Sequence, residues 1–404
     1  MVFGYYASAI GKTFFPSDNP VNSLLLALMT FGAGFMMRPL GAIVLGAYTD
    51  RVGRRKGLVI TLALMSLGTL LLALTPGYNR IGLLAPLLVL AGRLLQGFSA
   101  GVELGSVSVY LAEIATPATK GFWVSWQSAS QQLAVILAAF LGLVLNQVLD
   151  VTQITDWGWR IPLIVGLTLV PLIFFLRRSL KETGEFAATE VHPSTSEIAR
   201  TLVQNAGIIF AGMLMVMMTT VCFYLITTYT PTFGKVVLHL QQNQTMLVTL
   251  YVGASNLLWL PLSGTLSDRI GRKPILLGTT MLAIATAYPA MLWLTVQPSF
   301  TRLLISQLWL SFIFGCYNGA NVVYLTELVP PKVRASGFSL AYSLATCVGG
   351  FTPAICTWLI SRTGNKAMPG LWLSAVACLS FVAAFFSKPY ALRQEVLPSD
   401  YERI

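Results

Sequence analysis

The chain has 404 residues, 55% of them hydrophobic and 10% charged, with a mean hydropathy of +0.72. Soluble domains carry about 25% charged residues, so this inventory cannot make a water-facing shell, and lipid must be the solvent for most of the surface. The net charge of +11 sits in short breaks between apolar runs; it forms no continuous basic face for nucleic acid, and reads as the positive loops of a membrane protein.

A membrane helix needs about 20 mainly apolar residues. On that measure the chain reads as spans near 1–14, 22–47, 57–75, 81–112, 121–148 and 158–176, then near 204–230, 245–266, 274–296, 301–327, 336–361 and 368–387. The expected fold is therefore all-α: a polytopic twelve-helix bundle, six spans on each side of one polar stretch. The expected units are residues 1–177, a linker at 178–203, residues 204–387 and a tail at 388–404. The first span is too short to cross alone, and nothing in it resembles a cleavable signal peptide. Cys222, Cys316, Cys347, Cys356 and Cys378 all fall inside apolar runs without zinc-like pairing, and read as small buried hydrophobes.

One charged turn occurs twice. Gly46-Ala-Tyr-Thr-Asp50-Arg51-Val-Gly53-Arg54-Arg55-Lys56 is echoed by Gly264-Thr-Leu-Ser-Asp268-Arg269-Ile-Gly271-Arg272-Lys273, the aspartates standing 268 − 50 = 218 residues apart. Tyr110-Leu-Ala-Glu113 in span 4 recurs as Tyr324-Leu-Thr-Glu327 in span 10, at the nearly equal offset 327 − 113 = 214. Several islands at one offset indicate two homologous halves in parallel orientation. Placing both charged turns on one side collects seventeen of the lysines and arginines there, against seven on the other. That asymmetry puts the turns, the linker and the C-terminus in the cytoplasm.

The paired G-x-x-x-D-R-x-G-R turns and the 6+6 layout resemble the major facilitator superfamily. Arg93-Leu-Leu-Gln96-Gly97 with Gly101-Val-Glu103, Trp157-Gly-Trp-Arg160-Ile-Pro162, and Arg38-Pro39 with Gly41 resemble its metabolite–proton symporter branch. Ser125-Trp-Gln-Ser-Ala-Ser-Gln-Gln132, Thr227-Thr-Tyr-Thr-Pro-Thr232 and Ser255-Asn256 with Trp259-Leu-Pro261 are similar to the citrate–proton and tricarballylate carriers within it. The resemblance implies a bacterial inner-membrane carrier, a monomer, importing a tricarboxylate with protons rather than sodium. It also implies an acidic and aromatic segment ahead of Phe3-Gly-Tyr-Tyr6, so that Met1 reads as an internal methionine and the first helix as incomplete.

Charges within the hydrocarbon cost about 2.5–3.5 kcal/mol each on insertion scales and so line polar interiors. Here they are Arg38, Arg93 and Glu103. A carboxylate leaving water needs fixed cations and many donors, and arginine offers a rigid five-donor fork. The expected substrate set is Arg93 and Arg38 with Gln127 and Gln131 on one face of span 5, Tyr224 on span 7 (sharing a face with Thr220 and Thr227), Asn256 on span 8, and Asn318 and Asn321 on span 10. Glu103 is the expected proton carrier. Gly97, Gly101 and Gly105 make one smooth ridge on span 4 for close helix approach. Asp50, Arg54 and Glu113, with their counterparts Asp268, Arg272 and Glu327, are expected to form a latch, each aspartate near a helix N-terminus of the opposite half.

Enzyme motifs are absent: no Walker loop, no G-x-G-x-x-G after a strand, no H-E-x-x-H. His192 and His239 fall in the linker and beside an outer loop. No cofactor is expected, and uphill transport must draw on an ion gradient. The alternatives are the same machine for α-ketoglutarate, shikimate or a betaine, or a non-transporting membrane protein such as a sensor.

Overall fold

The structure is a computed structural model. It describes residues 1–179 except 53 and 102, residue 200, and residues 203–330 and 333–390; side chains at 47, 49–52, 54, 55, 103, 104, 106 and 176–179 lie outside the description. Among the described residues the regular structure is helical throughout, and ten helices are long and apolar enough to cross a membrane.

The first half begins with span 1 (Val2–Tyr5 and Ala7–Phe14) and span 2 (Pro20–Met36 and Arg38–Val52). Span 3 (Arg54–Leu74), span 4 (Leu84–Ala100 and Glu103–Ile114), span 5 (Lys120–Val148) and span 6 (Gly158–Arg160, Ile161–Thr168 and Val170–Ser179) complete it. The second half holds spans 7 (Ala206–Val237), 8 (Gln242–Ile270), 9 (Arg272–Val296), 10 (Phe300–Leu328), 11 (Arg334–Gly350 and Thr352–Thr363) and 12 (Met368–Phe386).

Local chemistry sets the ends and breaks. Asn19 accepts from Val21 N at 2.9 Å with Pro20 at the first helical position, starting span 2. Pro39 lacks the N–H that would bond Phe35 O, so span 2 breaks beside Arg38, and the Cys347 thiol on span 11 lies 3.3 Å from both Phe35 O and Ser343 O. Span 4 starts later than the sequence suggests, because Gly82 takes a left-handed turn (φ +59°) after the short helix Tyr78–Ile81.

Span 7 extends past its expected end at 230 and carries two π-helical stretches, Tyr224–Tyr229 and Phe233–Val237. Pro231 removes one backbone donor there, and the Thr230 hydroxyl lies 3.2 Å from Leu225 O and 2.8 Å from Ile226 O. A proline plus hydroxyls that bond to the preceding turn widen the helix locally.

Two apolar clusters form the core. Phe14, Leu72, Val89 and Trp159 anchor one, which also takes in Tyr224 and Met246; Met215, Leu310, Ala345 and Leu373 belong to the other, which also takes in Leu28 and Val124. Large apolar side chains such as Leu87, Phe140, Phe210 and Phe385 are exposed around the outside, an arrangement suited to hydrocarbon as solvent.

Two antiparallel helix pairs join the halves. Spans 5 and 8 pair Gly121 with Gly264, Gln132 with Asn256, Ile136 with Gly253 and Gly142 with Met246, stepping up one helix and down the other. Spans 2 and 11 pair Gly32 with Phe351 and Gly350 with Phe35. At the end away from the charged turns, Thr232 donates to Gly4 O at 2.8 Å, tying span 7 to span 1.

Candidate functional site

A cavity of about 380 Å³ lies between the halves, walled by spans 2, 4 and 5 from one and 7, 10 and 11 from the other. That volume suits a small metabolite. Arg38 is its cation. Amides come from Gln127, Gln131, Gln132 and Asn318, hydroxyls from Ser128, Ser130, Thr219, Thr220 and Thr346, and phenols from Tyr224 and Tyr342. No carboxylate lines it among the described residues. Arg38 Nε and Asn318 Oδ1 are buried without a protein hydrogen-bond partner, as is Arg93 Nε.

Five members of the sequence-expected set line this cavity: Arg38, Gln127, Gln131, Tyr224 and Asn318. Their places follow from helix geometry. Gln127 and Gln131 are one turn apart on span 5, and Thr220 and Tyr224 one turn apart on span 7. Thr227 does not join them, because the π-helix from Tyr224 onward rotates the later positions; its hydroxyl donates to Phe223 O at 2.5 Å.

The remaining three are set back from the cavity wall. Arg93 Nη1 donates to Gln96 Oε1 at 2.6 Å and Nη2 to Phe31 O at 3.0 Å. Its guanidinium lies over the rings of Phe31, Phe3 and Phe35 at 4.7, 5.2 and 5.7 Å from their centroids. Arg38 reaches the same Phe35 ring at 4.7 Å. Phe35 in turn packs on Tyr224 of the other half at 5.1 Å. Two cations therefore converge on one aromatic cluster that bridges the halves. Asn256 is fully buried and bonded to Gln132 and Ser311. Asn321 donates to Thr219 Oγ1 at 3.2 Å.

Sequence reasoning missed Gln132, Thr219, Tyr342 and Thr346 as lining residues. The available signals were weak: Gln132 follows Gln131 and stands one turn beyond Ser128, and Tyr342 and Thr346 are spaced i, i+4 on span 11.

The second charged turn is a built structure whose parts explain its pattern. Gly264 abuts the backbone of Gly121, a contact no Cβ would allow. Asp268 Oδ1 accepts from Gly121 N at 2.8 Å and Oδ2 from Phe122 N at 3.1 Å, at the start of span 5. Gly271 takes φ +89° to turn the chain into span 9. Arg272 then pairs with Asp268 at 2.7 Å and Glu327 at 3.4 Å, and Lys120 with Glu327 at 3.7 Å. In the first copy Glu113 is exposed, while the side chains of Asp50 and Arg54, like that of Glu103, lie outside the described residues.

The glycine ridge on span 4 meets backbone on two sides. Gly97 abuts Gly34 O, Gly101 abuts Arg38 O, and Gly105 faces Ser339 of span 11.

The Major Facilitator Superfamily profile matches residues 1–353 and, overlapping, 238–400. The chain is 57% identical over 383 residues to a citrate–proton symporter of Salmonella typhi, covering 95% of this chain and 88% of that one. It is 57% identical over 386 residues to a citrate–proton symporter of Klebsiella pneumoniae, covering 95% and 87%. It is 31% identical over 411 residues to a proline/betaine transporter of Escherichia coli strain K12, covering 97% and 80%. In structure it is similar to the xylose transporter XylE of E. coli in a partially occluded inward-open conformation. The TM-score is 0.73 at 18% identity, covering 95% of this chain and 93% of that one, a likeness of fold. On the profile match across most of its length and the 57% identity to curated relatives, the chain belongs to the major facilitator superfamily.

Proposed function

We propose that this protein is a citrate–proton symporter that works by alternating access. The observation that carries the reading is the cavity between the halves, where Arg38, four amides and several hydroxyls face inward with no acidic side chain among the described residues. A di- or tricarboxylate loses its hydration there against a charge-assisted donor and many neutral ones. The 57% identity to two citrate–proton symporters supports the same substrate class.

The halves 1–177 and 204–387 move as bodies joined by 178–203, in a bacterial inner membrane, as a monomer surrounded by lipid. The charged turns, the linker and the tail at 388–404 face the cytoplasm by the asymmetry of cations. Arg38, Gln127, Gln131, Tyr224 and Asn318 hold the anion, with Arg93 behind the aromatic cluster and Asn256 and Asn321 holding neighbours in place. Glu103 takes up and releases the proton. Asp268, Arg272 and Glu327, with Asp50, Arg54 and Glu113 in the other half, latch the cytoplasmic end while the carrier faces outward. Transport then requires only that substrate and proton together favour crossing over the empty, charged carrier.

The proline/betaine relative suggests a second substrate class, which the aromatic cluster disfavours. A quaternary ammonium wants open aromatic faces, and Phe31 and Phe35 already carry the Arg93 and Arg38 guanidiniums. Uptake of labelled citrate into proteoliposomes under an inward proton gradient, with citrate, tricarballylate and betaine as competitors, decides. Citrate or tricarballylate competing best supports the proposal; betaine competing best overturns it.

A further inference from the structure

Gln132 is 1% exposed to solvent, yet its side chain lines the cavity. Its Oε1 accepts from Asn256 Nδ2 at 3.0 Å, and its Nε2 lies 3.3 Å from Ser128 O. The two ends of an amide are nearly equal in shape and opposite in hydrogen-bonding sense, so neighbours alone decide which way it faces. The Ser128 carbonyl can only accept. Gln132 must therefore turn its nitrogen towards Ser128 and its oxygen towards Asn256. Asn256 has to donate in return, which turns its own carbonyl to the Ser311 hydroxyl, 2.7 Å from Asn256 Oδ1 and 2.8 Å from Ser255 Oγ.

Asn256, Ser311 and Ser128 are buried, so water does not substitute freely for any link. One Gln132 N–H goes to Ser128 O. The other has no protein acceptor among the described residues, and Gln132 stands on the wall that holds Gln127, Gln131 and Arg38. Reversed, the amide would put a carbonyl oxygen against the Ser128 carbonyl and beside any bound carboxylate, both repulsive.

We infer that Asn256 is a positioning residue: together with the Ser128 carbonyl it holds Gln132 so that an N–H donor, and not a carbonyl oxygen, meets the substrate carboxylate. This rests on the proposed carboxylate function and gives Asn256 a role at one remove from the ligand. The hydrogen bond also crosses from span 8 to span 5, so each half contributes one member of the pair.

The test is a double-mutant cycle on citrate uptake in proteoliposomes, with Asn256→Leu, Gln132→Leu and the double variant. Leucine matches asparagine in its branching at Cγ, though it is bulkier, and leaves Gln132 Oε1 without its donor. We expect Asn256→Leu and Gln132→Leu each to raise the citrate KM roughly 5–20-fold. We expect kcat to hold within about threefold and the double variant to be no worse than Gln132→Leu alone. Ser311→Ala, a small change that leaves packing nearly intact, should raise KM about 2–5-fold and decides the matter if Asn256→Leu does not accumulate. A fall in kcat with KM unchanged, or effects that multiply in the double variant, overturns the relay. Wild-type uptake of citrate is the control. If it is absent, the carboxylate function itself fails and takes the relay with it; if it is present with variant KM values unchanged, only the relay fails.

Discussion

Asp268 closes its carboxylate on the first peptide groups of span 5 in the opposite half, 2.8 Å from Gly121 N and 3.1 Å from Phe122 N. A carboxylate at a helix N-terminus satisfies orphan donors and meets the positive end of the helix dipole. Because Asp268 and Gly121 belong to different halves, the proposed alternating-access cycle breaks this contact when that end opens. Asp268→Asn keeps one acceptor and loses the charge, a loss of about 1–2 kcal/mol. That shifts the ratio of outward- to inward-facing carriers by about 5–30-fold. Maleimide labelling of a cysteine placed at Ser125, buried beside Gly264, should rise, and turnover should change. The preference for citrate over tricarballylate should not. A changed anion preference would show that Asp268 acts on the substrate and not on the latch.

The same seam sets a steric prediction. A Cβ on Gly121 would strike Gly264 O and come within 2.7 Å of Ser267 Oγ and 2.9 Å of Asp268 Oδ1. Gly121→Ala and Gly264→Ala should each force spans 5 and 8 apart, at a cost of about 1–3 kcal/mol, and reproduce the labelling phenotype of Asp268→Asn. Gly278 on span 9 has open space around its Cβ direction. Gly278→Ala should leave labelling unchanged and raise the melting temperature slightly through lower chain entropy in the unfolded state. Equal labelling in all three variants would remove the close-contact explanation.

The two arginines should separate kinetically. Arg38 lines the cavity, and Arg93 is spent on Gln96, Phe31 O and three rings. Arg38→Gln should raise the citrate KM about 10–100-fold, the loss of a hydrogen-bonded charge. Arg93→Lys keeps the charge and loses the planar fork, so thermal stability and kcat should fall more than KM rises. Measured KM, kcat and detergent-solubilised melting temperature for both variants test this; a KM effect larger at Arg93 would put the substrate on the other side of the aromatic cluster.

Glu103 carries the proton in the proposed cycle. Glu103→Gln should therefore retain citrate counterflow, which needs no net proton movement, and lose accumulation driven by a proton gradient. Counterflow lost together with accumulation would assign Glu103 to substrate binding or to folding.

Much of the molecule is legible from the chain alone, because its causes are local. Composition makes lipid the solvent, and a continuous run of about 20 apolar residues reads as a helix there, since only a helix satisfies its backbone within the segment. In the second copy Gly264, Asp268 and Gly271 serve one close contact, one helix cap and one left-handed turn, whereas Gly46 in the first copy has open space in its Cβ direction; the repeat is legible as a pattern before its partners are known. Which polar side chains face the cavity is a different kind of fact. Periodicity places Gln127 with Gln131 on one face, and cannot say which neighbour that face meets, since the rotation of each helix is set by packing against the others. Tertiary structure alone turns Arg93 onto Phe31, moves Thr227 off the Tyr224 face through a π-helix, and buries Asn256 against Gln132 and Ser311 while leaving Gln132 at the cavity wall.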